Sequence, residues 1–221
     1  VAELVDRLFD NPRWAVARPR LSVIVPTYRQ DCSALIEALG ASPAAAKIEL
    51  IALDDGGDDR ALALRLTGAV ERAGCAARMV LAQRNRGRAG ARNALVSHAR
   101  APWVLLLDAD MMPDEPGFLG AYLRMIDAHP APGLVVGGDS LRRASHDQQF
   151  ALHRWQAERS ECIPAAQRTL APGRHVFTSN VMAHRDVLNR FPFDETFKGW
   201  GWEDTDWGLR VAAEHPVLHI D

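Results

Sequence analysis

The stretch Trp103–Pro113, WVLLLDADMMP, decides how the rest of the chain is read. An apolar run from Trp103 to Leu107 stops abruptly at Asp108-Ala109-Asp110. A run that short, without polar alternation, reads as a strand buried on both faces. Side chains alternate along extended backbone, so Asp108 and Asp110 would point the same way if extended geometry persisted. Two carboxylates that close repel unless a cation sits beside them or one is protonated. A hard divalent cation, Mg²⁺ or Mn²⁺, accepts carboxylate and phosphate oxygens together. The bland alternative is a solvated turn, because Asp favours strand ends.

Similar runs recur on either side. Leu21–Val25 ends at Pro26, Ile48–Leu53 at Asp54-Asp55-Gly56-Gly57, and Arg78–Ala82 near Gln83-Arg84-Asn85. Leu134–Val136 lies between Gly133 and Gly137-Gly138. Helical stretches separate them: Cys32–Leu39 after a possible cap at Asp31, Arg60–Ala73 closed by Gly74, Ala89–Ala99, and Pro116–Ala128. Strand–helix–strand alternation implies right-handed crossovers and a mostly parallel sheet covered by helices, a doubly wound, Rossmann-like α/β unit. Further on, Arg185–Arg190 and Glu203–Ala213 read as helices, whereas Ser140–Arg174 shows no clear period.

Bulk properties narrow the function classes. The chain has 221 residues and a formal net charge of -2, with 48% hydrophobic and 24% charged residues, as in an ordinary globular protein. No basic excess points to nucleic acid. Cys32, Cys75 and Cys162 lack metal-ligand or redox spacing and read as reduced thiols. No apolar run approaches the roughly 20 residues that span a bilayer, and the amino terminus lacks a signal-peptide pattern. Membrane association is therefore not evident; the expected location is the cytoplasm, with peripheral attachment to the inner face of a membrane left open. The chain starts at Val1 and stops on Asp221 after a strand-like stretch, so a piece of a longer protein is expected.

In open parallel sheets, ligands bind beyond the carboxyl ends of the strands. Four such ends carry polar groups: Pro26-Thr27-Tyr28, Asp54-Asp55-Gly56, Arg84-Asn85-Arg86-Gly87 and Asp108-Ala109-Asp110. The two acids after Leu53 suit ribose or a base edge. Arg84, Arg86, Arg88 and Arg92 at a helix start suit phosphate. Neither a P-loop nor a GxGxxG segment follows the first strand. In FDETFKGWGWEDTDWGLRV, Phe193–Val211, three tryptophans stand among Glu203, Asp204 and Asp206. Indole faces stack on sugars, and a carboxylate there could take a proton from an alcohol. Helix capping explains the acids alone, but not Gly-Trp-Gly-Trp.

Taken in order, LSVIVPTYRQ, IALDDGGDD, RNRGRAGARNAL, VLLLDADMMP and FDETFKGWGWEDTDWGLRV resemble the family 2 glycosyltransferases of GT-A fold, over most of the chain. The resemblance implies one catalytic domain over 1–221, with a nucleotide-sugar-binding half at about 20–112 and an acceptor-binding half at about 113–221. It implies nucleotide contacts from Pro26, Thr27, Tyr28, Asp54, Asp55, Asn85, Gly87, Arg92 and Asp108. It puts a divalent metal on Asp110 and Asp108, the motif that family writes as DXD. It makes Asp204 the general base, supported by Glu203, and gives the acceptor or sugar Trp200, Gly201 and Trp202. The family often adds a metal-binding His beyond the last helix; His219 is the candidate, with His215 beside it. Gly57 departs from the family's usual Ser or Thr.

The implied reaction is metal-dependent transfer of a sugar, with inversion, from a nucleoside diphosphate sugar, by default a UDP-sugar, to an acceptor hydroxyl. The acceptor could be a carbohydrate or another hydroxyl compound. The competing classes are a nucleotidyltransferase that makes nucleotide sugars and a non-catalytic nucleotide-sugar-binding relative.

Overall fold

A computed structural model describes residues 6–199 and 201–221. The apolar runs become the strands β2 (Leu21–Thr27), β3 (Ile48–Asp54), β4 (Ala76–Leu81), β5 (Trp103–Leu107) and β6 (Leu134–Val136), and the strand-like stretch before Asp221 holds β8 (Val217–His219); β1 (Arg7–Asp10) and β7 (Asn180–His184) join them although no apolar run marks them. Among the described residues they form one eight-stranded sheet in the order β1-β4-β3-β2-β5-β7-β6-β8. β2, β3, β4 and β5 run parallel, β7 runs antiparallel between β5 and β6, and β8 pairs parallel with β6. The mixed sheet flanked by helices has the expected α/β class.

The helices are α1 (Ser33–Gly40), α2 (Arg60–Arg72), α3 (Gly87–His98), α4 (Phe118–Ala128), α5 (Ala151–Ser160), α6 (Ala165–Arg168), α7 (Arg185–Arg190) and α8 (Glu203–Ala212). Period-two alternation divides the strands between two cores. Leu21, Val23, Leu50, Leu105 and Leu107 face α1, α2 and α4, against Leu35, Leu66 and Tyr122. Ile24, Ile51, Val104 and Leu106 face α3, α7 and α8, against Leu95, Leu188 and Trp207. Both faces of the sheet are thus dry, which is why these strands read as unbroken apolar runs.

Local chemistry sets the helix starts. The Asp59 side chain accepts from Ala61 N and Leu62 N at 2.8 and 3.0 Å and caps α2, an interaction worth about 1 kcal/mol. Asp31 Oδ1 accepts from Ser33 N as α1 begins. Gly74 does not cap α2. The cap is Ala73, and a Cβ on Gly74 would meet Gly40 O at 2.4 Å, so its small size serves close approach. α4 begins at Phe118, two residues after Pro116. The unread segment holds α5, exposed along most of its length with only Ala157 buried, and the short α6.

Two features escape sequence reading. Buried Asn11 ties β1 down, donating to Cys75 O at 2.9 Å and accepting from Ala77 N at 3.1 Å. Glu49, fully buried in β3, accepts from Ser22 Oγ, Arg100 N and Arg100 Nε, each at 2.6 Å. The Arg78 and Arg100 guanidiniums lie over the Trp14 ring, 4.3 and 3.9 Å from its centroid. The three cysteines are free thiols.

Candidate functional site

From β2, the chain goes to β3 on one side and later to β5 on the other, so connections diverge above the carboxyl ends of β2 and β5. That divergence opens a crevice in doubly wound sheets. A cleft of about 410 Å³ lies there, lined by Pro26, Thr27, Tyr28, Gln30, Asp55, Asn85, Gly87, Arg88, Ala91, Arg92, Asp108, Ala109, Asp110 and Gly199. Eight of the nine expected nucleotide contacts line it, together with Asp110. Asp54 does not: its carboxylate turns back on its own loop and accepts from Gly57 N at 3.2 Å. A Cβ at Gly57 would lie 2.7 Å from Asp54 Oδ1, which gives the departure from Ser or Thr a steric basis.

The Asp55 turn and the start of α3 interlock. The Asp55 carboxylate accepts from Arg86 N at 2.9 Å and from Gly87 N at 3.0 Å, while Asn85 Nδ2 donates to Asp55 O at 3.1 Å. Asp55 therefore takes up the N–H groups of the α3 cap and of its first residue, part of the helix start that the sequence suggested for phosphate. Burial pushes the Asp55 carboxyl up against the opposing pull of those N–H groups. Gly56 has φ +75, and a Cβ there would strike the backbone of Arg84 and Asn85 at 2.4 Å. Only glycine fits this turn.

Four charges join the cleft wall to α8. Arg92, 1% exposed, donates through Nη2 to Asp108 Oδ1 at 2.7 Å and places Nη1 3.5 Å from Glu203 Oε1. Arg88 donates through Nε to Glu203 Oε1 at 2.6 Å and reaches Asp108 Oδ2 at 3.4 Å. Burial alone would raise the Glu203 carboxyl; the Arg88 hydrogen bond and the two guanidiniums outweigh it and hold Glu203 below its ordinary range. Arg88 was visible in sequence only as one member of a basic run. Its role depends on α8 folding over α3.

Asp204 follows Glu203 but does not line the cleft. Burial, and then repulsion from Glu203, push its carboxyl up, while it accepts from Thr205 N at 2.8 Å. The approach to α8 is conformationally unusual. Gly199 and Gly201 have φ +87 and +103, and Trp202 has φ +72 with 73% of its surface exposed. A tryptophan held in left-handed backbone is strained, and such strain gathers at functional sites. Trp207, by contrast, is a core residue: its Nε1 donates to Phe191 O at 2.7 Å and its ring lies 4.7 Å from that of Phe193. Trp200 lies outside the described residues.

The donor set on the rim fits a hard divalent cation. Asp110 is exposed and enters no ion pair among the described residues, whereas both oxygens of Asp108 are engaged by Arg92 and Arg88, so Asp110 is the carboxylate open to a cation. No group of three His, Cys, Asp or Glu suited to a metal occurs among the described residues, so phosphate or water oxygens would complete the shell. His219, in β8, does not line the cleft. Its Nε2 donates to Pro172 O at 3.2 Å and its Nδ1 faces Arg168 Nη1 at 3.2 Å. Burial lowers its basicity.

Comparison with known proteins follows the same lines. The family model described as "Glycosyl transferase family 2" matches residues 22–191. Undecaprenyl-phosphate 4-deoxy-4-formamido-L-arabinose transferase of Pseudomonas paraeruginosa is 32% identical over 172 residues, covering 75% of this chain and 47% of that protein. The Pseudomonas aeruginosa protein of the same name is 31% identical over the same shares. The chain thus spans about half the length of these curated relatives. Among solved structures, the mannosyltransferase PcManGT from Pyrobaculum calidifontis, in complex with GDP-Man and Mn²⁺, superposes with TM-score 0.65 at 19% identity, covering 95% of this chain and 56% of that one. S. aureus TarS 1-349 in complex with UDP-GlcNAc gives 0.63 at 17%, covering 91% and 58%. At such identities the likeness concerns the fold, which is that of the GT-A glycosyltransferases. The ordered motifs, the matched span and the Pseudomonas relatives agree: this chain belongs to glycosyl transferase family 2.

Proposed function

We propose that this chain is the catalytic part of an inverting glycosyltransferase that moves a sugar from a nucleoside diphosphate sugar, by default a UDP-sugar, to an acceptor hydroxyl. One observation carries the reading: Asp55, Asp108 and Asp110 share a single cleft with Arg88 and Arg92 at the switch point of the sheet. Pro26, Thr27, Tyr28, Asn85 and Gly87 hold the nucleoside there, with Asp55 fixing the loop that carries Asn85 and Gly87. Asp110, with Asp108 beside it in the cleft wall, would hold Mn²⁺ or Mg²⁺, which would neutralise the charge that develops on the departing diphosphate. Residues about 20–112 bind the donor and about 113–221 the acceptor. The relatives' longer chains carry regions with no counterpart here.

The chain's own residues then perform the displacement. Asp204 accepts the acceptor's hydroxyl proton as that oxygen bonds to the anomeric carbon. The bond from that carbon to the diphosphate oxygen breaks on the opposite face, and the nucleoside diphosphate leaves with the electron pair. A single displacement inverts the configuration. Glu203, locked by Arg88 and Arg92, stays ionised and keeps Asp204 basic by repulsion. Trp202 and Gly201 offer a surface on which the acceptor or donor sugar can stack.

The name of the Pseudomonas relative gives a lipid phosphate as its acceptor. A phosphate monoester is already anionic at neutral pH and needs no base, whereas a half-buried Asp204 with a raised pKa suits a hydroxyl. No helix among the described residues is long and apolar enough to cross a membrane. The proposed setting is the cytoplasm, with peripheral attachment where the acceptor is lipid-linked.

Calorimetry with UDP and GDP, with and without Mn²⁺, tests the reading. Binding should require Mn²⁺ and vanish in Asp110→Ala. Asp204→Asn should keep binding and cut donor turnover by about 10²–10⁴-fold. Equal affinity with and without Mn²⁺ would remove the metal from the reading, and no nucleotide binding at all would overturn the whole.

A further inference from the structure

Beyond the cleft, the same rim continues along β7 and β6. β6 runs parallel to β5, because both pair antiparallel with β7, so Asp139, three residues past Val136, emerges on the same edge as Asp108. The backbone that carries it is tightly held. Gly137 N donates to Asn180 O at 2.9 Å, Asn180 Nδ2 donates to Gly138 O at 2.9 Å, and Arg168 Nη1 donates to Gly137 O at 2.7 Å. Tyr122 OH in turn donates to Asn180 Oδ1 at 2.6 Å. Yet one oxygen of the half-buried carboxylate is unmet: Asp139 Oδ1 is buried and has no hydrogen-bond partner among the described residues.

The nearest cation does not relieve it. Arg168, 1% exposed, spends its guanidinium on Ile163 O, Gly137 O, Ile220 O and Asp221 Oδ1. Burial and the neighbouring Glu161 raise the Asp139 carboxyl to about 6, with Asp108 adding to the effect and Arg168 opposing it. A protein that leaves an acceptor oxygen dry and unpaired loses stability unless a ligand supplies the donor. In the strand order β4-β3-β2-β5-β7-β6, Asp139 lies beyond Asp108 on the side away from β2–β4.

We propose that Asp139 is a sugar-recognition residue, its buried Oδ1 accepting a hydrogen bond from a hydroxyl of the donor's sugar ring. The inference rests on the proposed donor site and extends it by naming what reads the sugar. With the nucleoside over β2–β4 and the diphosphate at the end of β5, the sugar projects across β7 towards β6. A rigid acceptor there discriminates between epimers, because the wrong epimer leaves a buried carboxylate oxygen unpaired.

The experiment is donor hydrolysis by the unmutated chain, Asp139→Ala and Asp139→Asn, over UDP-glucose, UDP-galactose, UDP-N-acetylglucosamine and UDP-xylose. UDP affinity and melting temperature are measured beside it. UDP affinity should stay within about twofold. In Asp139→Ala, kcat/KM for the preferred sugar should fall about ten- to a hundredfold, the loss expected when one hydrogen bond to a charged group disappears. Disfavoured sugars should fall far less, so selectivity flattens. Asp139→Asn, which retains an acceptor oxygen, should recover part of it. A uniform fall across all sugars, or no change with UDP binding intact, would overturn this inference alone. Failure of the unmutated chain to bind UDP or GDP would take down the donor site and this inference together.

Discussion

Glu203 and Asp204 share the first turn of α8, and their surroundings pull their acidities apart. Two guanidiniums hold Glu203 ionised, while burial and the Glu203 charge make Asp204 a stronger base. Paired carboxylates with divergent acidities mark acid–base assignments. Glu203→Gln removes the repulsion, so Asp204 should titrate lower and the acidic limb of the pH–kcat profile for donor hydrolysis should move to lower pH. A limb that stays in place would uncouple Asp204 from the chemistry. Asp139 gives a stability counterpart. Its folded pKa of about 6 lies above its ordinary 3.8, so the folded state binds the proton more tightly. Its contribution to stability therefore falls as pH rises from about 4 to 6 and is least favourable above that. Asp139→Asn should gain about 1–2 kcal/mol at pH 8 and nothing at pH 3.5, by urea denaturation at both pH values. Asp55, Asp108 and Asp110 were legible in sequence because each follows an apolar strand. Asp139 follows one too, but a three-residue strand ending in two glycines carries no such signal, and an unpaired oxygen is visible only in three dimensions.

At the scale of elements, the turn after β3 and the start of α3 act as one unit. Asp55 grips the amides of the α3 cap and of its first residue, and Gly56 brings the two backbones into contact. Gly56→Ala must strain a left-handed residue and also push apart the backbone of Arg84 and Asn85. It should cost at least about 2 kcal/mol and weaken nucleotide binding. Gly87→Ala, at φ +76 but facing open space, should cost only about 1 kcal/mol. Urea denaturation of both variants, with UDP calorimetry, checks the ranking; equal costs would mean the interlock carries nothing. The strands β2, β3 and β5 were legible because both their faces are buried. β1 has four largely exposed residues, and β7 is a five-residue NVMAH run between antiparallel partners; neither exists without a neighbour to pair with. α5 was unreadable for the opposite reason: a helix that buries one alanine needs no apolar period.

For the whole molecule, the sheet crosses the line between the proposed donor and acceptor halves. β7, from the second half, pairs along all of β5, and α8 packs Trp207 and Val211 into the same core as Ile24, Ile51 and Leu95. Arg88 and Arg92 bind across the line to Glu203. Two halves that share a sheet, a core and a buried ion-pair cluster cannot unfold independently without exposing a long apolar strand edge. Denaturation followed by far-ultraviolet circular dichroism and by tryptophan fluorescence should give one coincident transition, since buried Trp103 lies in the first half and buried Trp207 in the second. UDP with Mn²⁺ should shift both signals equally, because a ligand that binds only the folded state stabilises the entire cooperative unit. A fragment ending near residue 112 should aggregate, because β5 would lose β7 and present its open edge. Separated transitions, or a soluble folded fragment, would mean that the nucleotide half is a domain of its own and that the Arg88–Glu203 contact joins two bodies rather than bracing one.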